Sequence, residues 1–99
     1  MALIEQQGRR LVVRSVMTVE TVSALLAEGS ALLSGEIEID LGEVGEVDSS
    51  ALSLLFEWLR QAQMRKASVV YVNLPPTLIS LAALYGVLEL IPQRKGAVH

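Results

Sequence analysis

Cysteine is missing from this 99-residue chain, which excludes disulfides and thiolate metal sites and, in so small a domain, points to a reducing compartment, the cytoplasm. Aromatic residues are scarce at 4%, so few flat side chains are available for a base or sugar to stack on. Basic residues number 8 against 11 acidic ones, a net charge of −3, and they are scattered, whereas a phosphate backbone is held by clustered Lys and Arg. Nucleic acid is not an expected partner. No apolar run approaches the roughly 18 residues of a membrane span, and the opening MALIEQQGRR lacks the apolar core of a signal peptide. Any membrane role is expected to pass through a partner protein.

What is abundant is aliphatic. Hydrophobic residues make up 52% of the chain, enough for a chain of this length to fold alone around Leu, Val, Ile and Ala. No linker, repeat or low-complexity stretch divides it, so residues 1–99 are expected to form one domain.

Short strands are expected from about Ala2 to Gln6 and from Arg10 to Val16, joined at Gly8. Thr18 is placed to cap a helix running to about Leu33, with Glu20 in its first turn and Val19, Val22, Leu26 and Leu33 facing the core, before Ser34 and Gly35 stop it. From Glu36 to Leu41 apolar and acidic residues alternate strictly, which is the period-two mark of a strand. A turn from Gly42 to Asp48 then leads into a helix from about Ser50 to Lys66, whose stripe Leu52, Leu55, Phe56 and Leu59 is expected to face the core. A strand over Ser68 to Asn73 follows, then a helix opened by Pro75 and Pro76 and closed at Gly86. Val87 to Ile91 reads as a last short strand or helical turn. Strands alternating with helices imply an α/β domain with a mixed, mostly parallel sheet of four or five strands and three or four helices.

In such folds partners meet the loops beyond the carboxyl ends of the strands. Here that is the segment from Gly42 to Ser50. Asp48, Ser49 and Ser50 stand just before an apolar-periodic helix, where an oxygen accepts from the free N–H groups of the first turn. Simple N-capping accounts for them. A hydroxyl at a helix N-terminus is also a place that tolerates an added phosphate, because the dipole and amides favour negative charge. Glu36, Glu38, Asp40, Glu43, Glu46 and Asp48 form an acidic run that reads either as a solvated strand face or as a match for a basic partner. Trp58, with Ala51 and Leu54 on the same side of the helix and off the core stripe, reads either as packing or as partner contact.

Catalysis has little to work with. The single histidine, His99, is terminal, so a Ser-His-Asp relay lacks a fixed base. Neither Asp40 with Asp48 nor Glu43 with Glu46 belongs to a motif that sets a separation between paired acids. No metal-ligand spacing is present, and Gly35, Gly42 and Gly45 do not form a phosphate-cradling loop. Neither a cofactor nor a metal is expected.

The segment IDLGEVGEVDSSALSLL, from Ile39 to Leu55, resembles the core motif of STAS domains (sulfate transporter and anti-sigma factor antagonist). Element order and length agree with that family over nearly the whole chain. The stretch LYGVLELIP, from Leu84 to Pro92, is similar to the tail of the small STAS subunit of Mla phospholipid-transport ABC complexes. The resemblance implies a non-catalytic cytoplasmic subunit that engages the ABC ATPase and so serves lipid asymmetry. Asp48 would be the motif aspartate and Ser49 the hydroxyl that is phosphorylated in anti-sigma factor antagonists and implicated in ATPase engagement in the Mla type. Leu52 matches the motif leucine, and Ala51 departs from the usual glycine. The expected partner surface is Asp48, Ser49, Ser50, Ala51, Leu54 and Trp58, with Ser49 as the switch. The alternative partner is an anti-sigma factor kinase that phosphorylates Ser49, and a third reading is a small-molecule-binding or hydrolytic domain.

Overall fold

The structure, a computed structural model, describes residues 2–94; His99 lies outside them. Strand β1 (Ile4–Gln7) and β2 (Arg10–Val13) pair antiparallel around Gly8, which turns with φ +64, a value glycine adopts without steric cost. Helix α1 (Val22–Ser30), β3 (Glu36–Asp40), helix α2 (Ser50–Met64), β4 (Ser68–Val72) and helix α3 (Pro76–Leu84) follow, and of the strand or helical turn expected over Val87 to Ile91 the structure has the turn, a 3-10 turn at Leu88–Leu90. The sheet order is β1-β2-β3-β4, with β2, β3 and β4 parallel. It is the mixed, mostly parallel α/β sheet that the alternation of elements implies.

This order has a geometric consequence. The sheet grows in one direction from β2 to β4, and crossovers of the same hand place α1 and α2 on the same face. One face of the sheet is therefore covered by helices. Ile4, Leu11, Val13, Ile37, Ile39, Leu41, Val69 and Tyr71 point into that layer and are buried against it. Tyr71 is fully buried, and its hydroxyl donates to the Leu55 carbonyl of α2 at 2.6 Å, tying β4 to the helix above it. Burial holds the phenol well above its usual pKa, so it stays neutral. Tyr71→Phe is expected to cost about 1 kcal/mol, the net worth of one hydrogen bond, in urea titrations.

The opposite face carries the acids of the alternating strand, and they are not free. Arg10 of β2 donates to Glu38 Oε1 at 2.6 Å and to Asp40 Oδ2 at 2.9 Å, and Arg94 donates to Glu38 Oε2 at 2.6 Å. Asp40 also accepts from the Gly42 N–H and the Asn73 amide. Glu36 pairs with Arg9, and Arg14 bridges Glu5 and Glu43. The acidic run is thus neither a bare solvated face nor an unmatched patch: five of its six members answer an arginine or a backbone N–H, and Glu46 is the one that does neither among the described residues. Parallel pairing explains the match, because it sets Arg10 beside Glu38 and Val12 beside Asp40.

Arg94 reaches Glu38 because the chain after the 3-10 turn returns to the sheet edge. Tyr71 N–H donates to Pro92 O and Arg94 N–H to Tyr71 O, both at 2.9 Å, a one-bridge stub of a fifth strand beside β4. Pro92 has no N–H to give, which limits the pairing on that side.

Candidate functional site

The site is built where two loops meet at one end of the parallel strands. After β2 the chain runs through Met17, and after β3 through Val47; these two residues form an isolated parallel bridge, with Met17 N–H donating to Glu46 O at 2.8 Å and Asp48 N–H to Met17 O at 3.2 Å. Asp48 then completes the junction. Its Oδ2 accepts from the Val19 N–H at 3.0 Å and its Oδ1 from the Ser50 N–H at 2.8 Å. One carboxylate therefore holds the β2–α1 loop and the head of α2 together.

These bonds favour the ionised form. The Val19 N–H, and after it Ser50, hold the Asp48 carboxyl below its usual 3.8. The folded state thus gives up this proton at lower pH than the unfolded chain, so the stabilisation is present at neutral pH and is lost as pH falls below 3.8 through the lowered value. Asp48→Asn is expected to lower the Tm at pH 7 and to flatten its fall between pH 4 and pH 3 (approximate limits set by the ordinary carboxylate range), measured by calorimetry against the parent chain.

Ser49 differs from what simple capping requires. It is the N-cap residue of α2, yet its backbone is already helical (φ −64, ψ −19), its side chain makes no capping hydrogen bond, and it is exposed. Asp48 supplies the capping oxygen instead, as an aspartate does when it accepts from the N–H two residues on. Ser49 is left presenting its hydroxyl to solvent. Along α2 it is followed by exposed Ser53, with Ser50 and Glu57 half-buried beside them. This ridge separates two shallow grooves: one of about 350 Å³ against Val22 and Leu26 of α1, the other of about 640 Å³ toward Phe56, Tyr85 and Val87.

Three residues assigned to the partner surface do not reach it. Ala51, Leu54 and Trp58 are 0%, 3% and 0% exposed and belong to the core. The expected core stripe had the helix turned by about one position, because α2 is buried on two flanks. Ala51, Leu54, Leu55, Trp58 and Ala62 are its most deeply buried residues, while Phe56 and Leu59 are only partly covered. The indole lies against Gly29 of α1, where a Cβ would come within 2.6 Å of the ring. That glycine was the available signal, since an isolated Gly inside a helical pattern marks close approach of a neighbour.

The β2–α1 loop also departs from expectation. Helix α1 begins at Val22 rather than at Thr18, because residues 18–21 form a turn: Thr21 Oγ accepts from the Thr18 N–H and donates to Val16 O. Glu20 is consequently outside the helix, and Val19 is 70% exposed instead of core-facing. Sequence spacing cannot show this, since the bond that fixes Val19 comes from Asp48, 29 residues away.

Among the described residues no group of acids or histidine is arranged to hold a metal ion, and no helix is long and apolar enough to cross a membrane.

Solved structures share this architecture. A Thermotoga maritima protein provisionally classed as an anti-sigma factor antagonist superposes with a TM-score of 0.74 at 10% identity, covering 96% of this chain and 86% of that one. The anti-sigma factor antagonist SpoIIAA in its unphosphorylated form gives 0.72 at 17% identity over 95% and 86% of the two chains. An anti-sigma factor antagonist (STAS) domain protein from Planctomyces limnophilus gives 0.72 at 15% identity over 96% and 89%. At these identities the likeness establishes the fold. No curated protein matches the sequence. Residues 2–92 match the family model described as Mlab, STAS domain, and the chain belongs to that family.

Proposed function

We propose that this protein is a non-catalytic STAS subunit that assembles with, and regulates, the ATPase of an Mla-type ABC phospholipid transporter on the cytoplasmic side of the membrane. Contact is made through the Ser49 end of α2. The observation that carries this reading is the free Ser49 hydroxyl. Asp48 does the capping, so the fold has no use for an oxygen at position 49, and one is nevertheless held exposed at the head of a rigid helix. Membership of the Mlab family supplies the partner class. Asp48 acts in this scheme as the residue that positions the loops, with Ser49, Ser50 and Ser53 at the contact.

The test is a calorimetric titration of this chain with the ATPase subunit of an Mla-type transporter from the same organism. Saturable one-to-one binding that is lost on Ser49→Glu supports the assignment; absence of binding, or binding indifferent to Ser49→Glu, overturns it.

A second reading is favoured by the likeness to anti-sigma factor antagonists. An exposed hydroxyl over the first-turn amides of α2 is sterically open to phosphorylation, and the added charge would break a complex formed at that end. Incubation with a cognate anti-sigma kinase and ATP distinguishes the two: stoichiometric phosphate on Ser49 by mass spectrometry selects the switch, and an unmodified Ser49 selects the transporter subunit.

A further inference from the structure

The end of the molecule that carries Ser49 is wider than the helix start. Val16 and Val19, on the β2–α1 loop, are 38% and 70% exposed. They are not on a loose loop: Val19 N–H is held by Asp48 Oδ2 at 3.0 Å, Val16 O accepts from the Thr21 hydroxyl at 2.7 Å, and Met17 between them is fully buried and bridged to Val47. Val16 Cγ1 also lies 3.9 Å from where a Cβ on Gly45 would stand, so the Val16 side chain lies near the β3–α2 loop. The backbone that carries these two apolar side chains is thus fastened in place, at Val19 by Asp48, the residue before Ser49. Holding exposed valines rigid lowers the entropy lost when a partner covers them.

Charge narrows the kind of partner. From Ser15 to Leu59 the chain contains no Lys or Arg. Most acids of this stretch are answered by groups elsewhere, but Glu20 and Glu46, one on each of the two joined loops, are exposed and form no ion pair among the described residues. An apolar centre of Val16 and Val19 with an acidic rim complements a protein surface that has an apolar seat and a basic rim.

We infer that the β2–α1 loop, latched to α2 by Asp48, is the second half of the docking surface, and that it seats Val16 and Val19 in an apolar depression of the ATPase subunit bordered by lysine or arginine. This rests on the transporter reading above and adds the residues and the chemistry of the partner face. Asp48 is a positioning residue in this scheme and does not itself touch the partner.

The experiment uses the full chain and the purified ATPase subunit, with affinity measured at two salt concentrations. Val19→Ser, on a side chain already mostly in water, is expected to leave the Tm unchanged and to weaken binding about tenfold, as truncation of an interface anchor does. The double variant Glu20→Lys, Glu46→Lys is expected to weaken binding by a similar factor and to remove most of the salt dependence, which exposed complementary charges produce. If both variants bind like the parent while Ser49→Glu abolishes binding, contact stops at α2; the inference is then wrong and the transporter reading survives. If the parent chain itself does not bind the ATPase, both fall together.

Discussion

Trp58→Ala is expected to destabilise the domain by about 3–5 kcal/mol, the cost of emptying a fully buried aromatic site. For a domain whose total stability lies at about 5–15 kcal/mol, that is a large share of what holds it together. The site closes poorly around the missing ring, because it is fully buried in the core and Gly29, against which the ring lies, has no side chain to move inward. The Tm is expected to drop by more than about 12 °C, at roughly 4 °C per kcal/mol for a domain of this size. Trp58→Phe separates volume from polarity. The indole Nε1 is buried without a hydrogen-bond partner among the described residues, and such a group costs about 1–3 kcal/mol to leave unpaired. Phenylalanine removes that N–H while losing part of the buried ring area, so the two effects oppose each other and the variant should lie within about 1 kcal/mol of the parent chain. Urea titrations of the two variants check both figures. A mild Trp58→Ala would mean that the indole is a surface residue after all.

The burial of Trp58 shows where legibility in the sequence ends. Periodicity found α1 and α2, the Pro and Gly boundaries found α3, and strict alternation found β3, because each of these signals is local to one segment. Which stripe of α2 faces inward is a property of three segments. The helix lies between α1 and α3, so both of its apolar stripes find cover, and the decision between them is made by Gly29 of α1 leaving room for an indole. The acid pairs with Arg10 are likewise a matter of register: residues 28 and 30 positions apart become neighbours only once β2 lies parallel to β3.

The candidate site divides along the same line. Ser49 and Asp48 were visible because helix-start chemistry is local and because the segment from Ile39 to Leu55 resembles a known motif. The division of labour between them was not, since each residue alone is a good cap. In the structure the carboxylate caps the helix and the hydroxyl is idle. The Val19 tether lay out of reach of any local rule, and with it the extension of the surface onto the β2–α1 loop.

That idle hydroxyl leads to the second large effect, on association rather than on folding. Ser49→Glu places a negative charge in the first-turn region of α2, where free N–H groups and the helix dipole favour it by about 0.3–1 kcal/mol. The isolated domain should therefore be as stable as the parent or slightly more so, with a Tm that is equal or raised. At a partner interface the same charge must shed its water at a position where the parent chain presents a neutral hydroxyl. A buried charge without an ion partner costs about 3–5 kcal/mol, which corresponds to roughly a hundredfold loss of affinity or more. Ser49→Ala, which removes only an oxygen idle in the fold, should lose about tenfold or less, since one neutral hydrogen bond across an interface is worth about 1 kcal/mol. The diagnostic result is the opposition of sign: a domain that melts no earlier and binds about a hundredfold more weakly. A Ser49→Glu variant that binds as tightly as the parent would mean that the contact surface lies elsewhere on the fold.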